Sequence, residues 1–302
     1  MAIAAASGAG VSDAASGRPR RSALYLPGSN ARAIEKARTL PCDVVILDLE
    51  DSVAPEAKSA ARALAAEAVR LGGFGQRELV VRVNGLDTPW GAEDLLAAAE
   101  ARPDAVLVPK VNAPADLCAY REALGPKTPL WAMVETCRAV LALGDLGGAS
   151  LDEGVTCWVI GANDLVKEMH CRPGPERAPL RPALALSVMA ARAHGLSILD
   201  GVYNDIPDLE GLARECAQGA DLGFDGKSLI HPTHLEAANR IFAPPPAEVA
   251  WARTVAQAFD SPENAGKGVL KVDGRMVERL HLAQARRLIA VAEAIAAREG
   301  RP

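Results

Sequence analysis

The sequence predicts an α/β protein, a closed TIM (β/α)8 barrel followed by a C-terminal helical arm or lid. Three observations predict it. From residue 22 onward, short apolar runs alternate strictly with longer Ala/Leu/Glu/Arg-rich segments of helical period. Such alternation implies parallel strands joined by crossover helices, and eight units in about 220 residues fit a closed barrel better than an open sheet. The strand candidates are near-continuous apolar runs, as expected when both sheet faces are covered. No G-x-G-x-x-G and no G-x-x-x-x-G-K-[ST] stands at a strand-to-helix junction, which makes a dinucleotide-binding sheet the weaker reading.

In chain order the strand candidates are residues 23–26, 44–49, 79–83, 105–108, 130–134, 157–160, 197–199 and 222–224. The helix candidates are 30–40, 54–71, 91–101, 114–124, 136–146, 180–194, 206–218 and 233–241. Ala243-Pro244-Pro245-Pro246 is then a stiff break. Beyond it the pattern predicts a helix over 247–259, an irregular segment over 261–273 and a long helix over 274–298. The expected organisation is a disordered tail at 1–20, a catalytic barrel at 21–243 and an arm at 244–302. The arm is too short to build an independent core, so it packs on its own barrel or on a neighbouring subunit.

Composition excludes several functions. Thirty-three Lys and Arg face 38 Asp and Glu, a net charge of −5, with no basic block to follow a phosphate backbone. Only 4% of residues are aromatic, too few for a single-strand stacking platform. The six cysteines form no C-x-x-C unit and read as small buried hydrophobes in a reducing cytoplasm. No apolar run reaches the roughly 18 residues that span a bilayer, and the Ala/Ser/Gly-rich start lacks a secretory h-region. The expectation is a soluble cytoplasmic enzyme.

Barrel active sites sit at the carboxyl ends of the strands. Here those ends carry Asp48-Leu49-Glu50-Asp51, Arg82-Val83-Asn84, Lys110, Glu135, Asn163-Asp164, then Asp200, Tyr203 and Asn204, and finally Asp225, Lys227 and His231. Asp51 and Asp205 also stand where helix N-caps fall. Carboxylates without His or Cys select a hard cation, best matched by Mg²⁺. Glu135 and Asp164, on adjacent strands, are the best-placed metal ligands, and Arg82 suits an oxyanion forming beside them. Asp48 and Glu50 either support the metal through waters or pair with Lys110 or Arg82. His231 and His234 read as capping or packing residues, and the four tryptophans as core or interface.

The motifs RSALYLPGSN at 21–30, DVVILDLEDSVAPEAKSAAR at 43–62 and VVRVNG at 80–85 carry a resemblance. So do VLVPKV at 106–111, AMVET at 132–136, GANDL at 161–165 and GFDGKSLIHP at 223–232. In this order the chain resembles the citrate lyase β-subunit-like branch of the HpcH/HpaI aldolase family, with malyl-CoA and citramalyl-CoA lyases among its members. The resemblance implies a Mg²⁺-dependent carbon–carbon lyase that cleaves or condenses a carboxylated 3-hydroxyacyl-CoA such as citryl-, malyl- or citramalyl-CoA. It implies Glu135 and Asp164 as metal ligands, Arg82 on substrate and enolate, and substrate contacts at Asn163 and Asp164. It also implies a homotrimer or larger homo-oligomer whose neighbouring subunit supplies a C-terminal acid. Glu278 falls at that position, with Asp273 the alternative. Two departures are present: Asn163 stands where many relatives carry Glu, and Glu278 where the lyases carry Asp. The alternatives are a malyl- or citramalyl-CoA thioesterase and a β component inert outside a larger lyase complex. Arg20, Arg21 and Lys58 are candidates for CoA phosphates or, equally, ordinary surface cations.

Overall fold

The computed structural model describes residues 18–300. Its first eight strands, β1 (Ser22–Pro27), β2 (Val44–Asp48), β3 (Glu78–Arg82), β4 (Ala105–Val108), β5 (Leu130–Val134), β6 (Val155–Ile160), β7 (Ser197–Asp200) and β8 (Gly226–Leu229), close into a parallel barrel. Closure is made by β8 pairing with β1, where Ser22 lies opposite Lys227 and Leu24 opposite Leu229. The helices around it are α1 (Ala31–Ala37), α2 (Lys58–Leu71), α3 (Gly91–Ala101), α4 (Pro114–Leu124), α5 (Cys137–Leu141), α6 (Leu143–Asp152), α7 (Ala162–Glu168), α8 (Arg181–Ala193), α9 (Leu209–Leu222) and α10 (Leu235–Ile241).

The strands are apolar on both faces because each face meets a different core. Val44 and Ile46 of β2 point into the barrel with Val80, Leu107, Trp131 and Leu199, while Val45 and Leu47 pack against the helices. All five residues of β2 are buried, and so are all of β3, β4 and β5. A one-residue shift would exchange the two faces, so this double burial holds the strand register.

Several boundaries differ from the sequence expectation. The stretch 222–224 is the end of α9 and its glycine cap, and the eighth strand is the later Gly226–Leu229. Asp225 therefore stands before the strand, away from the mouth, pairing with Arg192 and accepting the Ile198 N–H. The segment 136–146 divides into α5 and the start of α6, and the short α7 follows β6 directly. Asn30 and Asp208 cap α1 and α9 with their side chains; neither Asp51 nor Asp205 caps a helix.

Charges buried below and beside the barrel are paired. Arg20 grips Glu78 at 2.7 and 2.8 Å and lies over the Trp131 ring, and Arg21 grips Asp43. Both arginines precede β1 and are buried at the end opposite the mouth, so neither is a surface cation or a ligand for CoA phosphates. The rest of the expected tail, residues 1–17, lies outside the described residues. In the wall between β7, β8 and α9, fully buried Lys227 donates to Asp200 (3.0 Å) and Glu215 (2.7 Å). Arg177 donates to the other Asp200 oxygen at 2.8 Å.

From Ala243 onward the chain forms a second compact unit. It contains α11 (Pro246–Asp260), an antiparallel hairpin of β9 (Val269–Val272) and β10 (Arg275–Glu278), and α12 (Arg279–Arg298). The long helix thus begins at Arg279; residues 274–278 belong to the hairpin. Asp273-Gly274, both at positive φ (45° and 81°), make the tight turn that matches strand twist. Val255, Leu270, Val272, Val277 and Ala285 form the small core of this unit. Among the described residues no helix is long and apolar enough to cross a membrane.

Removing Lys227 should expose how much the fold depends on the wall cluster. Lys227→Met leaves Asp200 and Glu215 buried with only Arg177, and is expected to lower unfolding free energy by about 3–5 kcal/mol. Denaturant unfolding would measure it. Adding Asp200→Asn should recover part of the loss, whereas an unchanged midpoint in Lys227→Met would show that the cluster contributes no net stability.

Candidate active site

Barrel closure gathers the expected polar residues around one cavity of about 330 Å³ at the carboxyl ends of the strands. Tyr25, Asp48, Asp51, Arg82, Glu135, Asn163, Asp164 and Asn204 line it. Arg82 and Asp48 are side by side because β3 and β2 pair in register there. Arg82 donates Nε to Asp48 Oδ1 at 2.6 Å and Nη2 to Asp48 Oδ2 at 2.8 Å, a planar two-point grip. Its Nη1 lies 2.9 Å from Glu50 Oε2 and 3.4 Å from Asp51 Oδ2, and its Cζ is 4.8 Å from the centre of the Tyr25 ring. The pairing expected for Asp48 and Glu50 is therefore with Arg82.

Glu135, 1% exposed at the end of β5, accepts the Lys110 backbone N–H at 2.7 Å. Lys110 turns that N–H toward the carboxylate by adopting φ 53°, a left-handed conformation that costs about 1–2 kcal/mol in a non-glycine residue. Its ammonium lies 3.0 Å from Asp164 Oδ1 and 3.6 Å from Glu135 Oε1, between the two acids. Gly161 supplies the space: a Cβ there would lie 2.7 Å from Glu135 Oε2.

Burial sets the protonation pattern. Burial pushes Glu50 up to about 8, against the attraction of Arg82. Burial also raises Glu135, opposed by Lys110 and its N–H. Burial acts on Asp48 in the same sense, but Arg82 and the N–H groups of Ser52 and Glu50 outweigh it and hold Asp48 below the usual carboxylate range. One of three neighbouring acids is thus neutral near pH 7 while another is firmly ionised.

The residues fit a hard divalent cation. Five carboxylates (Asp48, Glu50, Asp51, Glu135 and Asp164) face two cations, Arg82 and Lys110, so the mouth carries uncompensated negative charge. Among the described residues no cluster of three or more His, Cys, Asp or Glu could hold a metal. Two carboxylates with the remaining positions left to water and substrate is the usual Mg²⁺ arrangement. Glu135 and Asp164 would hold it, with the Lys110 ammonium displaced from between them.

The other sequence candidates are placed as follows. Lys58 is buried and donates to the carbonyls of Leu49 (2.8 Å) and Glu50 (2.6 Å) and to Asn84 Oδ1 (2.7 Å). It clasps the turn after β2 and is neither a surface cation nor free for a phosphate. Glu278 is in the arm unit as the N-cap of α12, its N–H bonded to His281 Nδ1 at 2.9 Å. His231 caps the short turn at Pro232–His234, and His234 is buried with Nε2 3.2 Å from the Ile206 carbonyl. Trp131 and Trp158 are core residues, while Trp90 and Trp251 are partly buried. Cys42, Cys157 and Cys216 are buried, but Cys118 is exposed and Cys137 and Cys171 are half-buried. Sequence reasoning missed Tyr25 and the pairing of Asn204 with Asn163. A polar residue at the end of β1 and at the end of β7 was the available signal.

The HpcH/HpaI aldolase/citrate lyase family model matches residues 21–232, the whole set of barrel strands. The chain belongs to this family. Within it the chain is citrate lyase β-like. It is 33% identical over 292 residues to the citrate lyase subunit beta of Escherichia coli K12, covering 93% of this chain and 96% of that one. It is 50% identical over 279 residues to a (3S)-malyl-CoA thioesterase of Cereibacter sphaeroides KD131, covering 92% and 96%. Its fold is that of the Mycobacterium tuberculosis CitE protein solved with magnesium, acetoacetate and coenzyme A. That likeness has a TM-score of 0.73 and 29% identity, over 92% of this chain and 99% of that one.

Two outcomes follow from this geometry. Gly161→Ala should push the Glu135 carboxylate off the end of β6 and weaken Mg²⁺ binding at least about tenfold, read by calorimetry. An unchanged affinity would remove Glu135 from the metal site. Glu50 titrates higher folded than unfolded, so its contribution to stability is complete below about pH 4.5 and declines as pH rises toward about 8. The melting temperature should therefore fall between about pH 5 and about pH 9, and Glu50→Gln should remove most of that fall.

Proposed function

We propose that this chain is a Mg²⁺-dependent hydrolase of the thioester in a carboxylated 3-hydroxyacyl-CoA of the malyl type. One observation carries the choice: identity to a (3S)-malyl-CoA thioesterase is 50% along nearly the whole chain, against 33% to citrate lyase β subunits. This prefers the hydrolytic alternative to the lyase reading expected first, although both use the same mouth.

Glu135 and Asp164 would hold Mg²⁺, which when bound supplies a Lewis acid and a charge partner for the substrate's carboxylate and hydroxyl oxygens. Arg82, kept rigid by Asp48, offers guanidinium N–H groups to the oxyanion that develops on the thioester carbonyl. The Tyr25 ring beneath it excludes water from one side. Lys110 balances Glu135 and Asp164 between turnovers. Glu278, with Asp273 as the alternative, would take the proton from the attacking water. We place that acid on the arm of a neighbouring subunit in a cytoplasmic homotrimer or larger ring.

The second reading, carbon–carbon cleavage to an acyl-CoA and a 2-oxo acid, is favoured by the likeness to citrate lyase β and to a protein solved with acetoacetate and coenzyme A. There the arm acid protonates an enolate carbon in place of activating water. Incubating the purified chain with malyl-, citramalyl- and citryl-CoA and Mg²⁺ separates the readings. Free CoA with the intact hydroxy diacid is the expected product by mass spectrometry. Removing metal with a chelator, Glu135→Ala and Asp164→Ala should each lower turnover by at least about a thousandfold. Acyl-CoA with a 2-oxo acid would establish the lyase instead. No turnover by the chain alone would favour the complex-dependent β component.

A further inference from the structure

Along β1 the side chains of Ala23 and Tyr25 turn into the barrel, while Leu24 and Leu26 pack against the helices. Tyr25 thereby carries a phenol hydroxyl to the edge of an otherwise apolar interior. Its ring lies under Arg82, and both Tyr25 and Met133 line the cavity. The hydroxyl donates to Met133 Sδ at 3.6 Å, its one hydrogen bond among the described residues. Met133 stands two residues before Glu135 on β5, so the two side chains share the inward face. A Cβ on Gly161 would come within 3.1 Å of Met133 Cε and 2.7 Å of Glu135 Oε2, so the end of Met133 reaches up beside that carboxylate. The hydroxyl of Tyr25 therefore lies on the cavity floor, between Arg82 and the strand that carries Glu135.

A thioether is a weak acceptor, and a buried hydroxyl with a poor partner costs stability. A phenylalanine would fill the same ring space under Arg82 without that cost. The contact with sulfur also leaves the hydroxyl free to change partner, because rotation about the Cζ–Oη bond turns its hydrogen without moving the ring. Burial raises the phenol well above its ordinary range; Arg82 opposes the rise, and Asp48, Glu135 and Glu50 add to it. The group thus stays a neutral donor. Arg82 has few N–H groups to spare: Nε and Nη2 donate to Asp48, and Nη1 faces Glu50 and Asp51. An oxyanion beside Arg82 meets a positive charge there but needs a further donor to complete its hydrogen bonds.

We propose that the Tyr25 hydroxyl is that donor, a catalytic group that leaves Met133 to hydrogen-bond the oxyanion forming on the thioester carbonyl. This rests on the acyl-CoA reading above and adds a residue to it. The hydroxyl donates without giving up its proton, so the same contact serves a tetrahedral oxyanion or an enolate. The contact strengthens as charge develops on the oxygen, and its effect falls on the transition state more than on bound substrate.

Steady-state kinetics of the full chain with Mg²⁺ and malyl-, citramalyl- or citryl-CoA test the proposal, with Tyr25→Phe removing the hydroxyl and keeping the ring. Tyr25→Phe should lower kcat and kcat/KM alike by about a hundredfold, with KM within about threefold of wild type. Mg²⁺ affinity by calorimetry should also stay within about threefold, and the melting temperature should hold or rise slightly, since a poorly partnered buried hydroxyl is gone. Tyr25→Leu, which removes the ring as well, should lower kcat at least as far. Turnover by Tyr25→Phe within about threefold of wild type would overturn the proposal. So would a loss confined to KM, or one that follows a lower melting temperature or weaker Mg²⁺ binding, either of which would make the hydroxyl structural. If wild type turns over none of the three thioesters, the acyl-CoA reading falls and this role with it; wild-type turnover with an unimpaired Tyr25→Phe removes the role of Tyr25 alone.

Discussion

Two carboxylates stand together at neighbouring strand ends at low cost when a cation stands with them, and Glu135 and Asp164 take theirs from Lys110. Much of the mouth is arranged to permit that contact. Lys110 accepts a left-handed backbone so that its N–H and its ammonium reach the same acid. Gly161 gives up a side chain so that Glu135 fits beneath the end of β6. Arg82 cannot serve as the balancing cation, because Asp48 holds it in a two-point grip and Glu50 and Asp51 crowd its remaining nitrogen. The result is a pair of acids balanced by one ammonium, at the place proposed for a divalent ion.

Charge elsewhere in the barrel is treated differently. At the floor Arg20 meets Glu78 and Arg21 meets Asp43, one cation to one anion. In the wall Lys227 and Arg177 meet Asp200 and Glu215, two to two. Burying unpaired charge is expensive, so these balanced sets are what a low-dielectric interior tolerates. The mouth departs from that balance, with five carboxylates around Arg82 and Lys110, where a cavity admits solvent and ligand. That contrast supports the proposed binding site at the mouth independently of any relative.

The fold was legible in the sequence because strands covered on both faces leave a simple trace, a short apolar run, and seven of the eight strands leave it. The eighth does not. Gly226-Lys227-Ser228-Leu229 is a buried strand with a lysine at its centre, made tolerable by two acids distant in sequence, and no periodicity reveals such a partner. Arg20, Arg21 and Lys58 were misread for the same reason: a cation's burial depends on which carboxylate or carbonyl the fold delivers to it. The hairpin was missed: its Asp273-Gly274 turn signal was present, but the short strands beside it were read as an irregular segment and as the start of the long helix. The site residues at strand ends were legible through topology. Their protonation was not, because the rise of Glu50 to about 8 comes from burial that composition does not encode.

The neutral Glu50 also bears on how one mouth could serve hydrolysis or carbon–carbon cleavage. Both reactions, as proposed, place negative charge on the same thioester oxygen, as a tetrahedral oxyanion in one case and an enolate in the other. Arg82 would receive that charge in either case. A fully ionised set of Asp48, Glu50 and Asp51 around it would spend most of its positive field before any substrate arrived. With Asp48 ionised and Glu50 protonated, Arg82 is oriented by one carboxylate and left partly unneutralised toward the cavity. Under the proposed function, the barrel would prepare the oxyanion partner, and the choice between activating water and protonating carbon would fall to the proposed acid at Glu278 or Asp273. That division agrees with a family in which thioesterases and lyases share nearly the whole chain.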